Sequence, residues 1–288
     1  MSNIVQRLLL FFLGVPAVIV VIFSLPQYHH GAAVAIIVVF TGGCGLELSQ
    51  LFNSRGIGAK APLLAAFGAL IPLFAYLGGL LSGNAVLYGT CVGAVVAMGT
   101  FVLVPFALFA FVGDDEIRNV IPKATAIAFS ALYPGLLGTF IVLIATEPGR
   151  STEALLSFCI LAFSSDSGAW LFGVTLGKHR GIVRVSPNKS LEGFIAGLLA
   201  PTGMVFFCAA LFPGSIVSSW WRLLVLGFVM GLAVIVGDLF ESAVKRSAGT
   251  KDSGTAVPGR GGFLDSFDSL LFSAPVFYGL SLLLGLFR

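Results

Sequence analysis

Charge is the first scarcity. Of the 288 residues only 10% are Asp, Glu, Lys or Arg, while 57% are hydrophobic. A water-soluble domain carries about 25% charged residues, so a soluble enzyme is excluded. Paired cysteines are also missing. Cys44, Cys91, Cys159 and Cys208 each stand alone inside an apolar run, where a thiol behaves as a small buried hydrophobe, and there is no CxxC metal or redox motif. The usual nucleotide-binding loops are absent too. The nearest approach to a P-loop, "GVTLGKH", has three residues between its glycines instead of four and ends in His. "GGCGLE" lacks the third glycine of a dinucleotide fingerprint and falls in an apolar run. There is no internal repeat, no low-complexity tract, and no clear small-x-small cleavage site after the first apolar run, which therefore reads as a retained span.

What is present is a long succession of apolar segments, with a mean hydropathy of +1.02. A helix needs about 20 mostly apolar residues to cross a bilayer. Nine runs qualify, at roughly 8–26, 32–52, 61–81, 86–112, 123–146, 152–174, 191–212, 220–243 and 267–287. The expected fold class is all-α: a polytopic integral membrane protein of about nine transmembrane helices. With the N-terminus in the cytoplasm, thirteen of the sixteen Lys and Arg fall in connections on that side; only Arg150, Arg222 and Arg288 fall opposite. That asymmetry is the positive-inside pattern.

The chain divides by chemistry into residues 1–150 and 151–288. The first part is apolar spans with short polar joints, suited to support, a lipid cavity or dimerisation. In the second, ionisable groups enter the spans and two long basic loops appear. A carboxylate inside a bilayer costs at least a few kcal/mol and ordinarily faces a polar cavity with a partner. In "VLGFVMGLAVIVGDLFESAVKR", Asp238, Glu241 and Ser242 share a helix face, and Lys245 lies one turn beyond Glu241. An ion-paired helix end near the cytoplasmic interface is the plain alternative, more so for Glu241 than for the deeper Asp238. In "GRGGFLDSFDSLLF", Asp265 and Asp268 share a face at a helix start, where capping is the plain alternative. Three convergent carboxylates would offer the hard oxygens that Mg²⁺ prefers. Between them, "KRSAGTKDSGTAVPGRGGF" supplies Lys245, Arg246, Lys251 and Arg260 for phosphates, and glycines that let the backbone approach a ligand.

Asp166 in "FSSDSGAWLFG" is a second costly carboxylate. In "SPNKSLEGFIAG", Lys189 precedes a helix start at which Glu192 can act as a capping residue or a ligand contact. His29, His30 and His179 carry no metal pattern. Glu47 and the Asp114, Asp115, Glu116 group read as structural or solvated.

The segment from Ser242 to Asp268 resembles the signature of the phosphatidate cytidylyltransferases, S-x-x-K-R-x(4)-K-D-x-G-x(3)-P-G-H-G-G-x-x-D-R-x-D. Its spacing is kept throughout by Ser242, Lys245, Arg246, Lys251, Asp252, Gly254, Pro258, Gly259, Gly261, Gly262, Asp265 and Asp268. Arg260 stands where the family has His, and Ser266 where it has Arg. "SDSGAWLFG", "SPNKSLEGFIAG" and "GDLFESAVKR" are also similar to family motifs, and the first half matches only as apolar spans.

The resemblance implies transfer of a cytidylyl group from CTP to phosphatidic acid, giving CDP-diacylglycerol and pyrophosphate. It implies Mg²⁺ on Asp238, Asp265 and Asp268, with a second cation of unspecified identity, and catalytic roles for those aspartates with Lys251 and Asp252. Substrate contacts are expected from Asp166, Lys189, Glu192, Ser242, Lys245, Arg246, Gly259, Arg260, Gly261 and Gly262. It further implies a homodimer in the inner (cytoplasmic) membrane, in contact with membrane lipid and with no nucleic-acid partner. The two departures keep a paralogue of altered or lost activity open, and the intramembrane carboxylates an ion-coupled transporter. Arginine stays protonated, so Arg260 can replace a phosphate-binding His but not a proton-transferring one.

Overall fold

The computed structural model describes residues 15–82, 120–147, 149–217, 219–257 and 260–287. Among the described residues the regular elements are all helices: α1 (Val15–Ser24), α2 (Gln27–Asn53), α3 (Ala61–Ser82), α4 (Val120–Ser130), α5 (Leu137–Ala145), α6 (Ser151–Thr175), α7 (Leu191–Leu211), α8 (Trp220–Ser247) and α9 (Phe263–Leu283). A π-helical turn, Ala131–Leu136, joins α4 to α5 and contains Pro134, whose missing N–H favours such a break in the α ladder. Seven helical stretches are long and apolar enough to cross a membrane. They coincide with seven of the nine expected runs. The expected run 86–112 and the Asp114–Glu116 group lie outside the described residues, and of the run 8–26 only α1 is described. The protein is a multi-pass, all-helical membrane protein.

Two boundaries have local causes. Tyr28, His29 and His30 sit at positive φ, so regular α2 begins after them, close to the expected residue 32. The last helix begins at Phe263 rather than 267. Its first turn mixes Phe263 and Leu264 with Asp265 and Ser266 and is held by the hydrogen bonds described below.

The chain forms two compact units, Met1–Thr146 with Ser247–Phe267, and Glu147–Arg246 with Asp268–Arg288. In the first unit α2 and α3 meet along a seam of glycines. A Cβ on Gly45 would lie 2.3 Å from the Leu64 carbonyl oxygen, and one on Gly68 would lie 2.4 Å from that of Thr41. Only a residue without a side chain permits backbones this close, a packing mode common between membrane helices. The Ser130 hydroxyl donates to the Leu64 carbonyl at 2.7 Å, tying α4 to α3.

In the second unit α6 and α7 pack through small residues, with the Ser165 hydroxyl donating to the Gly197 carbonyl at 2.7 Å. α8 crosses α7 at Gly227 and Gly231 and crosses α9 at Gly237. Phe158 of α6 meets Phe277 of α9 with ring centroids 5.5 Å apart. Large apolar side chains on the outer face of α7, among them Ile195, Leu199 and Phe207, are exposed, as suits a helix facing lipid.

Candidate active site

The second unit gathers acidic and basic side chains from four elements. Lys189 lies in the connection just before α7, and its ammonium pairs with the Asp238 carboxylate of α8. The same amine sits 5.7 Å from the centroid of the Phe194 ring. Burial pulls the Lys189 pKa down, while Asp268, Asp166 and Glu241 pull it up; the net result lies below the ordinary lysine value. At this amine burial disfavours the ammonium and the facing carboxylates favour it, and burial is the larger effect.

One turn along α8, Glu241 is fully buried and pairs with Lys245 at 2.5 Å. On α9 the Asp268 carboxylate is buried and accepts from the Ser269 amide at 2.6 Å. The Ser269 hydroxyl donates to Asp166 of α6 at 3.3 Å. The crossing at Gly237 brings α8 and α9 together beside these groups: a Cβ there would lie 3.0 Å from the Asp268 carbonyl oxygen. Asp166, Asp238, Glu241 and Asp268 thus face the ammoniums of Lys189 and Lys245, and among these six side chains the acids outnumber the bases by two.

Glu192 does something different. It stands in the first turn of α7, whose N-cap is Ser190, with the Ser190 hydroxyl accepting from the Gly193 amide at 3.2 Å. The Glu192 carboxylate lies 2.6 Å from Nδ1 of His179 and also accepts from the His179 amide. It fastens the basic loop, which Arg180 closes from within by donating to the carbonyls of Asn188 and Gly173.

The signature loop belongs to the first unit. Asp265 occupies the third position of α9, and its Oδ2 reaches back to the amide of Gly262 at 2.8 Å. This is the acidic half of a capping box. The same oxygen accepts from the amide and the hydroxyl of Ser253 at 3.0 and 2.9 Å. Gly261 is at φ +113, a conformation that a residue with a side chain avoids. Lys251 and Asp252 are exposed on the loop, Arg246 is exposed at the end of α8, and Ser242 and Arg260 are half-buried. Gly259 lies outside the described residues. The Ser266 hydroxyl donates to the Gly262 carbonyl at 2.9 Å, within its own helix.

Sequence reasoning missed the part played by Glu47. It is 4% exposed, structural rather than solvated, and it receives the amides of Phe263 and Leu264 at 2.7 and 2.8 Å and the Ser253 hydroxyl at 2.8 Å. Glycines expected to let the backbone approach a ligand also make room for this carboxylate: a Cβ on Gly254 or Gly262 would come within 2.4 or 2.3 Å of its oxygens. The available signal was its cost, because a carboxylate inside a span demands donors.

Among the described residues no group of three or more His, Cys, Asp or Glu side chains is arranged to hold a metal ion.

The sequence matches the cytidylyltransferase family model over residues 5–284. The chain belongs to the cytidylyltransferase family. It is similar to proteins named phosphatidate cytidylyltransferase. That of Mycobacterium leprae is 36% identical over 160 residues, covering 56% of this chain and 50% of the relative. That of Staphylococcus haemolyticus is 35% identical over 179 residues, covering 61% and 65%. That of Staphylococcus aureus is 40% identical over 121 residues, covering 41% and 44%. The chain therefore spans about half to two-thirds of the length of these relatives.

Proposed function

We propose that this chain transfers a cytidylyl group from CTP to phosphatidic acid, giving CDP-diacylglycerol and pyrophosphate. The observation that carries the reading is the cluster of Asp166, Lys189, Asp238 and Asp268, built from the residues that match the family motifs.

The chemistry asks little covalent work of the protein. A phosphate monoester has its second pKa near 6, so the attacking phosphatidate oxygen is already an anion at neutral pH and needs no general base. That oxygen bonds to the α-phosphorus of CTP as the bond to the α–β bridging oxygen breaks, and pyrophosphate leaves with the electron pair. The protein's task is to bring two polyanions together. Lys189, Lys245, Arg246, Lys251 and Arg260 supply positive charge for the triphosphate and the lipid headgroup, and glycine amides of the signature loop supply donors.

Mg²⁺ characteristically takes only one or two carboxylates and completes its shell with water and substrate phosphate oxygens, so it does not require the three-carboxylate grouping that the described residues lack. Asp238, Asp265 and Asp268 are the residues proposed to hold it. When bound, Mg²⁺ would neutralise the phosphates and align attacker and leaving group. A homodimer in the inner membrane, with N-terminus and basic loops in the cytoplasm, completes the proposal.

The test is incubation of the purified protein with phosphatidic acid, labelled CTP and Mg²⁺, scoring label in lipid. Labelled lipid from the wild type, lost in Asp265→Ala and on chelation, is expected. An unlabelled lipid fraction, or full activity in Asp265→Ala, overturns the reading. The two signature departures favour one further arm. Arg260 carries its charge in the loop, while Ser266 bonds within the helix. A cation has thus moved from the helix start into the loop, as expected for an exchanged phosphate contact. The double reversion Arg260→His with Ser266→Arg should then be more active than the worse single reversion. A double variant no better than that single points instead to a paralogue of altered activity.

A further inference from the structure

The part of the chain outside the signature holds a stripe aimed at it. Phe40, Gly43 and Glu47 recur at three- and four-residue spacing on one face of α2. Each meets the start of α9. Phe40 stacks on Phe267 with ring centroids 4.8 Å apart and meets Phe263 edge-on at 5.1 Å. Gly43 leaves the space that Phe263 fills, since a Cβ there would lie 2.4 Å from that ring. Glu47 takes the amides of Phe263 and Leu264, two of the N–H groups that a helix start leaves without partners. Just past the end of α2, the Ser54 hydroxyl donates to the Ala248 carbonyl at 3.1 Å, and Arg55 donates to the Ser247 carbonyl. One helix and the turn that follows it therefore hold both ends of the signature loop.

The Ser253 hydroxyl lies between the two halves of this arrangement, 2.8 Å from Glu47 and 2.9 Å from Asp265. It has a single proton for two carboxylates. The orientation of Asp265 is thereby linked to Glu47 through Ser253 and through the first turn of α9.

We propose that Glu47 is a positioning residue for the cytidylyl-transfer site: it fixes the signature loop and the start of α9, and through them the orientation of Asp265. The inference deepens the proposed function and rests on it for the role of Asp265. Partners one shell out from a metal ligand typically contribute 10- to 100-fold in metal affinity or activity.

Glu47→Gln tests this with almost no change of volume. The amide group would turn an N–H toward donors that now meet oxygen. Two quantities are read: hydrogen exchange of the segment 249–264 in the purified protein, and the Mg²⁺ concentration at half-maximal lipid labelling, with the KM for CTP measured alongside. The expected result is about tenfold faster exchange confined to that segment, a Mg²⁺ midpoint raised by about tenfold or more, and a much smaller change in KM. Ser253→Ala, which removes one of the three donors, should give a smaller acceleration in the same segment. Unchanged exchange in Glu47→Gln overturns the proposal. So does acceleration spread equally over α6 and α7, which would make Glu47 a general packing residue. Should the wild type label no lipid at all, the proposed function fails, and the exchange result still decides whether Glu47 holds the loop.

Discussion

The two acidic groupings face the same problem and solve it by different means. Around Asp238 and Glu241, carboxylates are countered by ammoniums on Lys189 and Lys245. Around Glu47 and Asp265, they are countered by backbone amides and one hydroxyl. The first solution depends on charge and on two side-chain pairs. The second depends on the exact path of a loop and leaves its carboxylates firmly oriented. An arrangement meant to exchange partners during turnover suits the first; one meant to hold still suits the second.

The contrast breaks most severely at Lys189. Lys189→Ala removes the ammonium from Asp238 and is expected to lower CTP-dependent lipid labelling by about 10²–10³-fold. Both side chains are about a third exposed, so thermal unfolding should change little. Lys245→Met tests the buried member of the same class. Its partner Glu241 is 1% exposed, and stripping one ion from a buried pair costs about 3 kcal/mol, to be read as a lowered unfolding midpoint in detergent. Glu241→Leu with Lys245→Met should recover most of that loss; no recovery would mean that the pair is not the source of the effect. On the other side of the contrast, Gly262→Ala leaves every charge in place. Its Cβ would lie 2.3 Å from both Glu47 Oε2 and Ser253 Oγ, an overpacking expected to cost about 1–3 kcal/mol and to loosen the loop in hydrogen exchange. The smallest effect is expected at His179, whose side chain is 73% exposed against Glu192. His179→Ala should leave the unfolding midpoint unchanged, as is usual for exposed ion pairs.

Hydropathy alone makes the seven described spans legible, because a bilayer imposes their length and apolar content. Motif spacing makes Asp166, Lys189, Asp238 and Asp268 legible one by one, but it groups Asp238 with Asp265 and Asp268; the pairing of Lys189 with Asp238 and the link from Ser269 to Asp166 come from the fold and leave no spacing in the sequence. The start of α9 lies four residues before the apolar run that marks it in the sequence. Its first turn, "FLDS", owes its helicity to Glu47 and Asp265 rather than to apolar content. Glu47 itself was seen but not understood. Its partners lie 206 to 217 residues away, and two of the three are main-chain amides, which leave no trace in side-chain pattern. Glu192 shows the converse. Its motif position marked it as a substrate contact, while its neighbours include a histidine that no spacing rule connected to it.

The glycine seam between α2 and α3 reaches beyond those two helices. At Gly45 and Gly68 the two helices approach too closely for any side chain, so a larger residue at either position would have to push α2 away from its neighbour. Because Glu47 lies half a turn from Gly45, the height at which its carboxylate meets the start of α9 depends on two residues with no side chain at all. Enlarging either one would displace Glu47 like a shifted ruler, without altering any group that it meets.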